Sequence, residues 1–148
     1  MEVLPFEMGR DLRLYIEGST EAFLNSYPGV SVSSDIARDI EAGVRALASS
    51  SESVAFTLCD DRPIGFVVVS MRWFYVIRQG YVDSIFVCPE KRGIGASRYL
   101  LRAAELWSFR NGARTIALDV SLSNHHAIQA YRSAGYSEMR VQMEKSIN

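Results

Sequence analysis

The first fifty residues show two runs of helical periodicity separated by a break. From Asp11 to about Asn25, apolar side chains recur at the spacing of one helix face. The stretch SYPG at residues 26–29 ends this run, because Pro and Gly interrupt regular structure. A second helix is predicted from the serines at positions 33 and 34, which suit an N-cap, to about Ala48.

Beyond the serine-rich residues 49–53, the spacing of apolar side chains becomes that of strands. Strands are predicted at residues 54–59, 64–77 and 81–87, with turns at DDRP and RQG between them. Neighbouring strands joined by such short turns run antiparallel. The middle of the chain therefore predicts an antiparallel meander of three strands.

The last third of the chain predicts helices and strands in alternation. A helix over residues 94–109 is followed by a strand at 115–120, a helix at 124–134 that ends at Gly135, and a last strand near 136–143. A strand-helix-strand unit joins parallel strands. We therefore expect one domain, residues 1–148, of the α/β (α+β) class: a mixed, mostly antiparallel sheet flanked by helices, with a C-terminal β-α-β crossover.

The charge balance and composition narrow the range of partners. The 148 residues carry a formal net charge of -1, without the basic excess that binds a phosphate backbone, so nucleic acid is not expected. Apolar runs are far shorter than the roughly 20 residues that span a bilayer, and no signal peptide is recognisable, so we expect no membrane association and a cytoplasmic location. Two cysteines outside any CxxC pair indicate reduced thiols and no metal site.

The stretch VCPEKRGIGASRYLL, residues 87–101, places a Pro, two cations and two glycines at the junction of a predicted strand and a predicted helix. Free backbone N–H groups and the positive end of the helix dipole coincide at such a junction, which therefore suits an anion. Gly93 and Gly95 allow close approach of the main chain to a ligand, and the guanidinium of Arg92 suits phosphate oxygens. From the glycines alone, a simple flexible turn is an equally good interpretation.

Together with its surroundings, this stretch resembles the acetyl-CoA-binding motif of the GCN5-related N-acetyltransferases, the GNAT superfamily. The family pattern V-x-P followed by R/Q-x-x-G-x-G/A stands here as Val87 and Pro89, then Arg92, Gly95 and Ser97, with serine in place of the usual Gly or Ala. A second segment is similar to the family's N-x-x-A-x-x-x-Y-x-x-x-G-[FY] pattern, at positions 124, 127, 131, 135 and 136. The resemblance extends over roughly residues 67–143 and implies a GNAT fold.

The resemblance implies acetyl-CoA as cosubstrate and assigns its binding residues. The backbone of Ile85, Phe86 and Val87 is expected to pair with the pantetheine arm. The N–H groups of the glycine-containing loop are expected to hold the pyrophosphate; these belong to Arg92, Gly93, Ile94, Gly95, Ala96, Ser97 and Arg98. Asn124 is expected to bind the cofactor arm or an ordered water, or else to cap its helix.

The chemistry of acetyl transfer needs a proton donor for the departing thiolate and a base for the amine. By its place in the motif, Tyr131 is the expected general acid and also contacts the cofactor; with an ordinary pKa near 10, it is protonated at neutral pH. Asp119 is the expected base, with Asp83 or a water chain as alternatives. His125 and His126 have no metal-like or triad-like companion, so surface or capping roles are expected for both.

The amine that accepts the acetyl group is the least determined part of the reaction. Aromatic residues of the middle strands and of the first helix are expected to form its binding walls, although they also suit core packing or a homodimer contact; these are Tyr27, Trp73, Phe74, Tyr75 and Tyr81. The segment YVDSIFVCP is similar to the corresponding strand of aminoglycoside 6'-N-acetyltransferases, over a span too short to fix the substrate. We expect direct transfer to a primary amine of a small molecule or peptide, with no metal; the alternatives are a non-catalytic acyl-CoA sensor and a protein N-terminal acetyltransferase.

Overall fold

Helical periodicity at the start of the chain produces two helices, as predicted. In a computed structural model that describes residues 1–27 and 29–147, α1 spans Met8–Ser26 and α2 spans Ser34–Ala48. Pro28, in the predicted break, lies outside the described residues. Two further helices follow in the second half of the chain, α3 over Ala96–Arg110 and α4 over His125–Ser133, with a 3₁₀ turn at Pro89–Lys91 before α3.

The described part of the chain forms a five-stranded sheet in the order β1-β2-β3-β4-β5. Its strands are β1 (Glu2–Pro5), β2 (Ser53–Asp60), β3 (Arg62–Phe74), β4 (Ile77–Val87) and β5 (Ile116–Leu118). The first four strands pair antiparallel, whereas β4 and β5 pair in parallel through the α3 crossover. The predicted mixed, mostly antiparallel α/β fold is therefore confirmed, and β1, which the pattern did not predict, adds one edge strand.

The predicted last strand at residues 136–143 is wrong for this structure. Residues 136–147 form neither helix nor strand, so the parallel crossover is β4-α3-β5 and not the C-terminal unit. The alternation of apolar and polar residues there fits a strand, but Met139, Val141 and Met143 are 84%, 71% and 90% exposed. A strand needs a neighbouring ladder and a core to cover its apolar face, and residues 139–143 have neither among the described residues.

The turn between β3 and β4 also differs from its prediction. Glycine in RQG suggested a turn at residues 78–80, but the turn lies at Tyr75 and Val76, where Tyr75 adopts a φ of 53°. Gly80 instead lies inside β4, and an added Cβ there would stand 2.2 Å from Ser108 Oγ of α3. Glycine at this position permits close helix-sheet packing and does not mark the turn.

Apolar side chains on the two faces of the sheet make two cores. On one face, α3 packs Leu100 and Leu101 against a cluster that includes Val67 and Val69. On the other face, α1 and α2 cover a second cluster; its buried members are Leu14, Tyr15, Val44, Ala55, Phe66 and Val68. Burial of each Leu, Val or Phe side chain in these clusters stabilises the fold by about 1.5 to 3 kcal/mol.

A buried carboxylate anchors the start of α1 to the sheet. Asp11 is 1% exposed and accepts hydrogen bonds from the Thr57 hydroxyl at 2.7 Å, the Glu7 N–H at 2.9 Å and Arg10 Nε at 2.7 Å. Burial opposes ionisation of this carboxyl group, but the bonds from Arg10, Glu7 and Thr57 together hold its pKa below the ordinary value of 3.8. Asp11 is therefore charged at neutral pH and stabilises the folded chain through these contacts.

We expect Asp11→Ala to lower the free energy of unfolding at pH 7 by about 3 kcal/mol, because it leaves a buried hydroxyl and a half-buried guanidinium without their partner. Since the folded pKa lies below the unfolded value, the contribution of Asp11 is complete above pH ~4 and is lost as the pH falls through the folded pKa. Urea unfolding of both proteins should therefore show a difference that narrows from pH 6 to pH 2.5. Asp35→Ala, at an exposed ion pair, is the control; a pH-independent difference for Asp11→Ala would contradict the prediction.

Candidate functional site

The junction between β4 and α3 forms a glycine-containing loop. β4 ends at Val87, a 3₁₀ turn follows, and α3 begins at Ala96. Gly93 and Gly95 have φ values of 78° and 82°, a left-handed conformation that residues with a Cβ rarely adopt. Among the described residues, no backbone carbonyl accepts a hydrogen bond from the N–H groups of residues 93–97. The loop is therefore able to bind an anion at the positive end of the α3 dipole.

A cavity of about 340 Å³ opens at this loop and separates α3 from α4. It brings together ten of the twelve residues predicted to contact the cofactor: Ile85, Phe86, Val87, Arg92, Gly93, Gly95, Ala96, Ser97, Arg98 and Tyr131. Segments far apart in the sequence thus border one cavity, while their contact with a cofactor stays a prediction.

The β4 wall of the cavity is an open strand edge. β4 pairs with β5 at residues 80–82 and has no β5 partner beyond Val82. A bulge interrupts its pairing with β3 at the same point, because Val69 lies opposite Val82 and Val68 lies opposite Ser84, with Asp83 as the extra residue. Residues 85–87 consequently line the cavity without a strand neighbour on this side among the described residues, although the Val87 carbonyl already accepts a hydrogen bond from Arg92 Nε. Such an edge suits an extended ligand with amide groups.

Arg92 binds protein groups in this structure. Its Nε donates to the Val87 carbonyl at 2.8 Å, its Nη2 contacts Glu21 Oε1 at 2.6 Å, and its guanidinium lies 5.5 Å from the centre of the Phe86 ring. These contacts tie the loop to β4 and to α1. A phosphate contact by the Arg92 fork remains a prediction and would have to compete with Glu21.

Ile94 and Asn124 do not line the cavity. The Ile94 side chain is 59% exposed. The Asn124 side chain accepts a hydrogen bond from the Ala127 N–H at 3.2 Å, so it caps α4. The predicted face of α4 grouped Asn124 with Ala127 and Tyr131. The face that lines the cavity includes Ala127 and Tyr131 but has His126 and not Asn124 at its start.

Tyr131 contributes a protonated hydroxyl to the cavity wall. Burial raises the pKa of the Tyr131 hydroxyl above its ordinary value of 10.0. No described residue accepts a hydrogen bond from it, so its proton is available to a ligand. The ring packs against Tyr136, with ring centres 6.1 Å apart. This position is compatible with the predicted role of a general acid.

The two predicted bases belong to one polar cluster on the sheet. Asp83 pairs with Arg72 at 2.7 Å, and the guanidinium of Arg72 lies 3.4 Å from the centre of the Tyr81 ring. The Tyr81 hydroxyl in turn donates a hydrogen bond to Asp119. Burial, followed by this contact with Asp119, raises the pKa of Tyr81 to about 12. Asp83 is thus neutralised by a cation, whereas Asp119 is held by a neutral hydroxyl.

The predicted acceptor residues are dispersed in the structure. Tyr81 belongs to the carboxylate cluster, but Trp73, Phe74 and Tyr75 lie at the tip of the β3–β4 hairpin, and Tyr75 is 98% exposed. The eight residues of β4 between this tip and Ile85 correspond to about 26 Å. Tyr27 packs against Phe23 of α1 with ring centres 5.1 Å apart. The structure therefore does not join the hairpin aromatics to the cavity.

Sequence reasoning missed several residues of the cavity wall. Lys91, His126, Gln129, Ala130 and Ser133 line it as well. His126 lies three and four residues before Gln129 and Ala130, and Gln129 lies four residues before Ser133, so helical spacing groups these α4 residues on one side. Arg98 Nη2 donates to the Ser133 carbonyl at 3.3 Å and connects the two helices beside the cavity.

Residues 1–27 and 29–147 contain no cluster of three His, Cys, Asp or Glu side chains that could hold a metal ion. None of their helices is long and apolar enough to cross a bilayer. Both Cys59 and Cys88 are free thiols whose pKa values are raised, chiefly by burial.

Comparison with known proteins identifies relatives of the chain. The sequence model of the acetyltransferase (GNAT) family matches residues 20–136. An aminoglycoside N(6')-acetyltransferase type 1 of Stenotrophomonas maltophilia is 30% identical over 97 residues, which make up 61% of this chain and 63% of the relative. An uncharacterized N-acetyltransferase of Methanocaldococcus jannaschii is 31% identical over 58% of this chain and 40% of its own length. The chain thus spans less than two thirds of either curated relative.

Solved structures share the whole fold. The structure of AAC(6')-Iy in complex with the bisubstrate analog CoA-S-monomethyl-acetylneamine has a TM-score of 0.79 at 21% identity, over 99% of this chain and 98% of that one. The aminoglycoside 6'-N-acetyltransferase AAC(6')-IG from Acinetobacter haemolyticus has a TM-score of 0.77 at 22% identity, with both chains fully covered. At this level of identity, the likeness establishes a common fold.

Proposed function

The chain belongs to the acetyltransferase (GNAT) family, and from this premise we propose that it transfers the acetyl group of acetyl-CoA directly to a primary amine of a cationic small molecule or a peptide. The observation that carries the proposal is the cavity, which places an open strand edge, a loop of free N–H groups and the Tyr131 hydroxyl around one volume. Acetyl-CoA offers a matching part for each: the amides of its arm, its pyrophosphate and its thioester.

The proposed transfer uses no covalent enzyme intermediate. The amine nitrogen attacks the thioester carbonyl carbon, the carbon–sulfur bond breaks, and the sulfur takes the proton of the Tyr131 hydroxyl. The amine loses a proton to Asp119, directly or through Tyr81 or a water. Since Cys88 contributes no lining atom to the cavity and burial raises the pKa of its thiol, it is a poor nucleophile for an alternative route.

The acceptor is proposed to be a cationic amine that binds at the polar cluster. Asp83 on β4 and Asp119, which directly follows β5, are both exposed carboxylates, and the Tyr81 hydroxyl of β4 donates a hydrogen bond to Asp119. Carboxylates attract an ammonium group before it is deprotonated. The relatives named as aminoglycoside N(6')-acetyltransferases favour amino sugars among such compounds, and peptide amines remain the alternative class.

The decisive experiment measures CoA release with acetyl-CoA and two panels, one of small-molecule amines that includes amino sugars and polyamines, and one of peptides. Turnover confined to the small-molecule panel supports the proposed acceptor. Turnover confined to peptide α-amines indicates a protein N-terminal acetyltransferase. Binding of acetyl-CoA without turnover of any amine, together with no effect of Tyr131→Phe on binding, would indicate a sensor.

We expect CoA to raise the melting temperature of the protein, and Arg92→Glu to reduce this shift by half or more at a fixed CoA concentration. The reversed charge repels the pyrophosphate and also Glu21. Glu21→Gln removes the ion pair without adding a negative charge, so it should preserve the shift. Arg102→Glu, on the exposed side of α3, is the charge-matched control. An equal loss in Glu21→Gln would mean that Arg92 acts by holding the loop in place.

A further inference from the structure

Arg72 of β3 contacts two residues of the neighbouring strand. It lies opposite Gln79 of β4, and Tyr81 follows two positions along, so both of these β4 side chains share a face of the sheet with Arg72. The Arg72 guanidinium lies 3.4 Å from the centre of the Tyr81 ring, and its Nη2 donates a hydrogen bond to Asp83 Oδ1 at 2.7 Å. The ring is therefore covered by a cation that is itself held by a carboxylate.

The carboxylate of Asp119 depends on Tyr81 for its position. β5 ends at Leu118, and Asp119 belongs to no helix or strand. Among the described residues, the Tyr81 hydroxyl is the only group that donates a hydrogen bond to the Asp119 carboxylate. A carboxylate on irregular backbone can adopt several orientations, and a fixed orientation costs conformational entropy unless a contact offsets it. Here the contact that fixes it comes from β4.

Arg72 does not suit direct contact with the proposed acceptor. A guanidinium repels a cationic amine, and the charge of Arg72 is balanced by Asp83, whose side chain is 30% exposed. Its planar group instead stacks on the ring of Tyr81, an arrangement that arginine favours and that restricts the ring. The contacts of Arg72 thus connect it to the reaction through Tyr81.

The contacts from Arg72 to Asp119 form one continuous path across β3, β4 and the end of β5. Asp83 fixes the guanidinium, the guanidinium fixes the ring of Tyr81, and the position of the ring determines where its hydroxyl lies. We propose that Arg72 is a positioning residue that keeps the Tyr81 hydroxyl on Asp119 and so holds this carboxylate in place for the acceptor amine. The inference rests on the proposed function, in which Asp119 is the base. A base held in a productive geometry is more effective than one that samples many orientations.

The test measures kcat/KM for an alkylamine at pH 7 and at pH 9 in Arg72→Met, which removes the stacking and the ion pair together. We expect a loss of about tenfold at pH 7 and of less than about threefold at pH 9, because the base matters most where the amine is protonated. Arg72→Lys keeps a cation for Asp83 and for the ring, so it should recover kcat/KM to within about threefold of the parent. Asp83→Asn retains an oxygen that accepts from Arg72 and should leave these contacts intact.

A double substitution and a matched control separate positioning from a general loss of structure. In the Asp119→Asn background, Arg72→Met should lower kcat/KM by less than about twofold further, because a positioning residue acts only through the group that it positions. The control is Arg78→Met. Arg78 lies 5.3 Å from the centre of the Trp73 ring and pairs with Glu52 at 3.1 Å, the same two kinds of contact near the β3–β4 hairpin tip. This control should change kcat/KM by less than about twofold at either pH.

Crystal structures of the parent and of Arg72→Met provide a result that does not depend on turnover. In the variant, the Tyr81 hydroxyl should lie more than about 3.5 Å from the Asp119 carboxylate, whereas the parent should retain the hydrogen bond. If the parent acetylates no amine, the proposed function fails, but this comparison still decides whether Arg72 positions Tyr81. Unchanged kcat/KM or an unchanged hydrogen bond in Arg72→Met, an additive loss with Asp119→Asn, or an equal loss in Arg78→Met would each overturn the inference.

Discussion

Tyr131→Phe is expected to lower kcat by about 100-fold or more while changing the affinity for CoA by less than about twofold. The substitution removes the hydroxyl that faces the cavity and keeps the ring, which packs on the α3 core and on Tyr136. Without this proton the departing thiolate must be protonated by water. Steady-state kinetics with a saturating amine, together with calorimetric titration of CoA, separate the two effects.

Tyr136→Phe is the matched control for this prediction. The Tyr136 hydroxyl is buried without a hydrogen-bond partner among the described residues, so its removal should leave kcat unchanged and stabilise the fold slightly. Equal kcat in Tyr131→Phe and in the parent would move the role of general acid to another group. A parallel loss of kcat in both variants would instead indicate a packing effect on α4.

The second large effect is expected from Asp119→Asn and depends on pH. An alkylamine with a pKa near 10.4 costs about 4 to 5 kcal/mol to deprotonate at pH 7 but only about 2 kcal/mol at pH 9. Loss of the base should therefore lower kcat/KM by about 100-fold at pH 7 and by about tenfold or less at pH 9. Since the pKa of Tyr81 is about 12, its hydroxyl remains protonated across this range and does not itself produce the change.

Asp83→Asn is the control for the base, because Asp83 lies in the same cluster but is already paired with Arg72. Its pH profile of kcat/KM should follow that of the parent. A profile that changes with Asp83→Asn and not with Asp119→Asn would reverse the assignment. If neither substitution alters the profile, the enzyme selects an amine that is already neutral.

The fold was largely predictable because its signals are local. The two N-terminal helices, the meander and α3 follow from periodicities of 3.6 and 2 along short stretches of sequence. The strand predicted at residues 136–143 was wrong because a strand also needs a neighbouring strand to pair with. Residues 139–143 have the alternation of apolar and polar side chains but no such neighbour among the described residues. The turn was predicted at the wrong residues because Gly80 was interpreted as a turn residue. Glycine is needed there for close contact with Ser108 of α3, a feature of the tertiary structure.

The sequence indicated which residues would lie around the cavity, but it did not indicate which side chains would contact one another. Two motifs placed Arg92, Gly95 and Tyr131 around a common volume, and the cavity contains all three. The pairing of Arg92 with Glu21 and of Tyr81 with Asp119 joins residues 71 and 38 positions apart. Such pairs depend on how α1 packs on the sheet and on how β5 pairs with β4, which no spacing within a motif can reveal.

The bulge at Asp83 restricts where the chain can gain or lose residues. Val82, Ile85 and Val87 all pack in the α3 core, although Val82 and Ile85 are three residues apart, because the bulge between them reverses the alternation of the strand. Deletion of one residue here would exchange the two faces of residues 85–87. Ile85 and Val87 would then point toward the α1–α2 layer and not toward α3. Insertions and deletions should therefore be excluded from the middle of β4 during divergence, while the β3–β4 turn, which projects beyond the sheet, is free to lengthen or shorten.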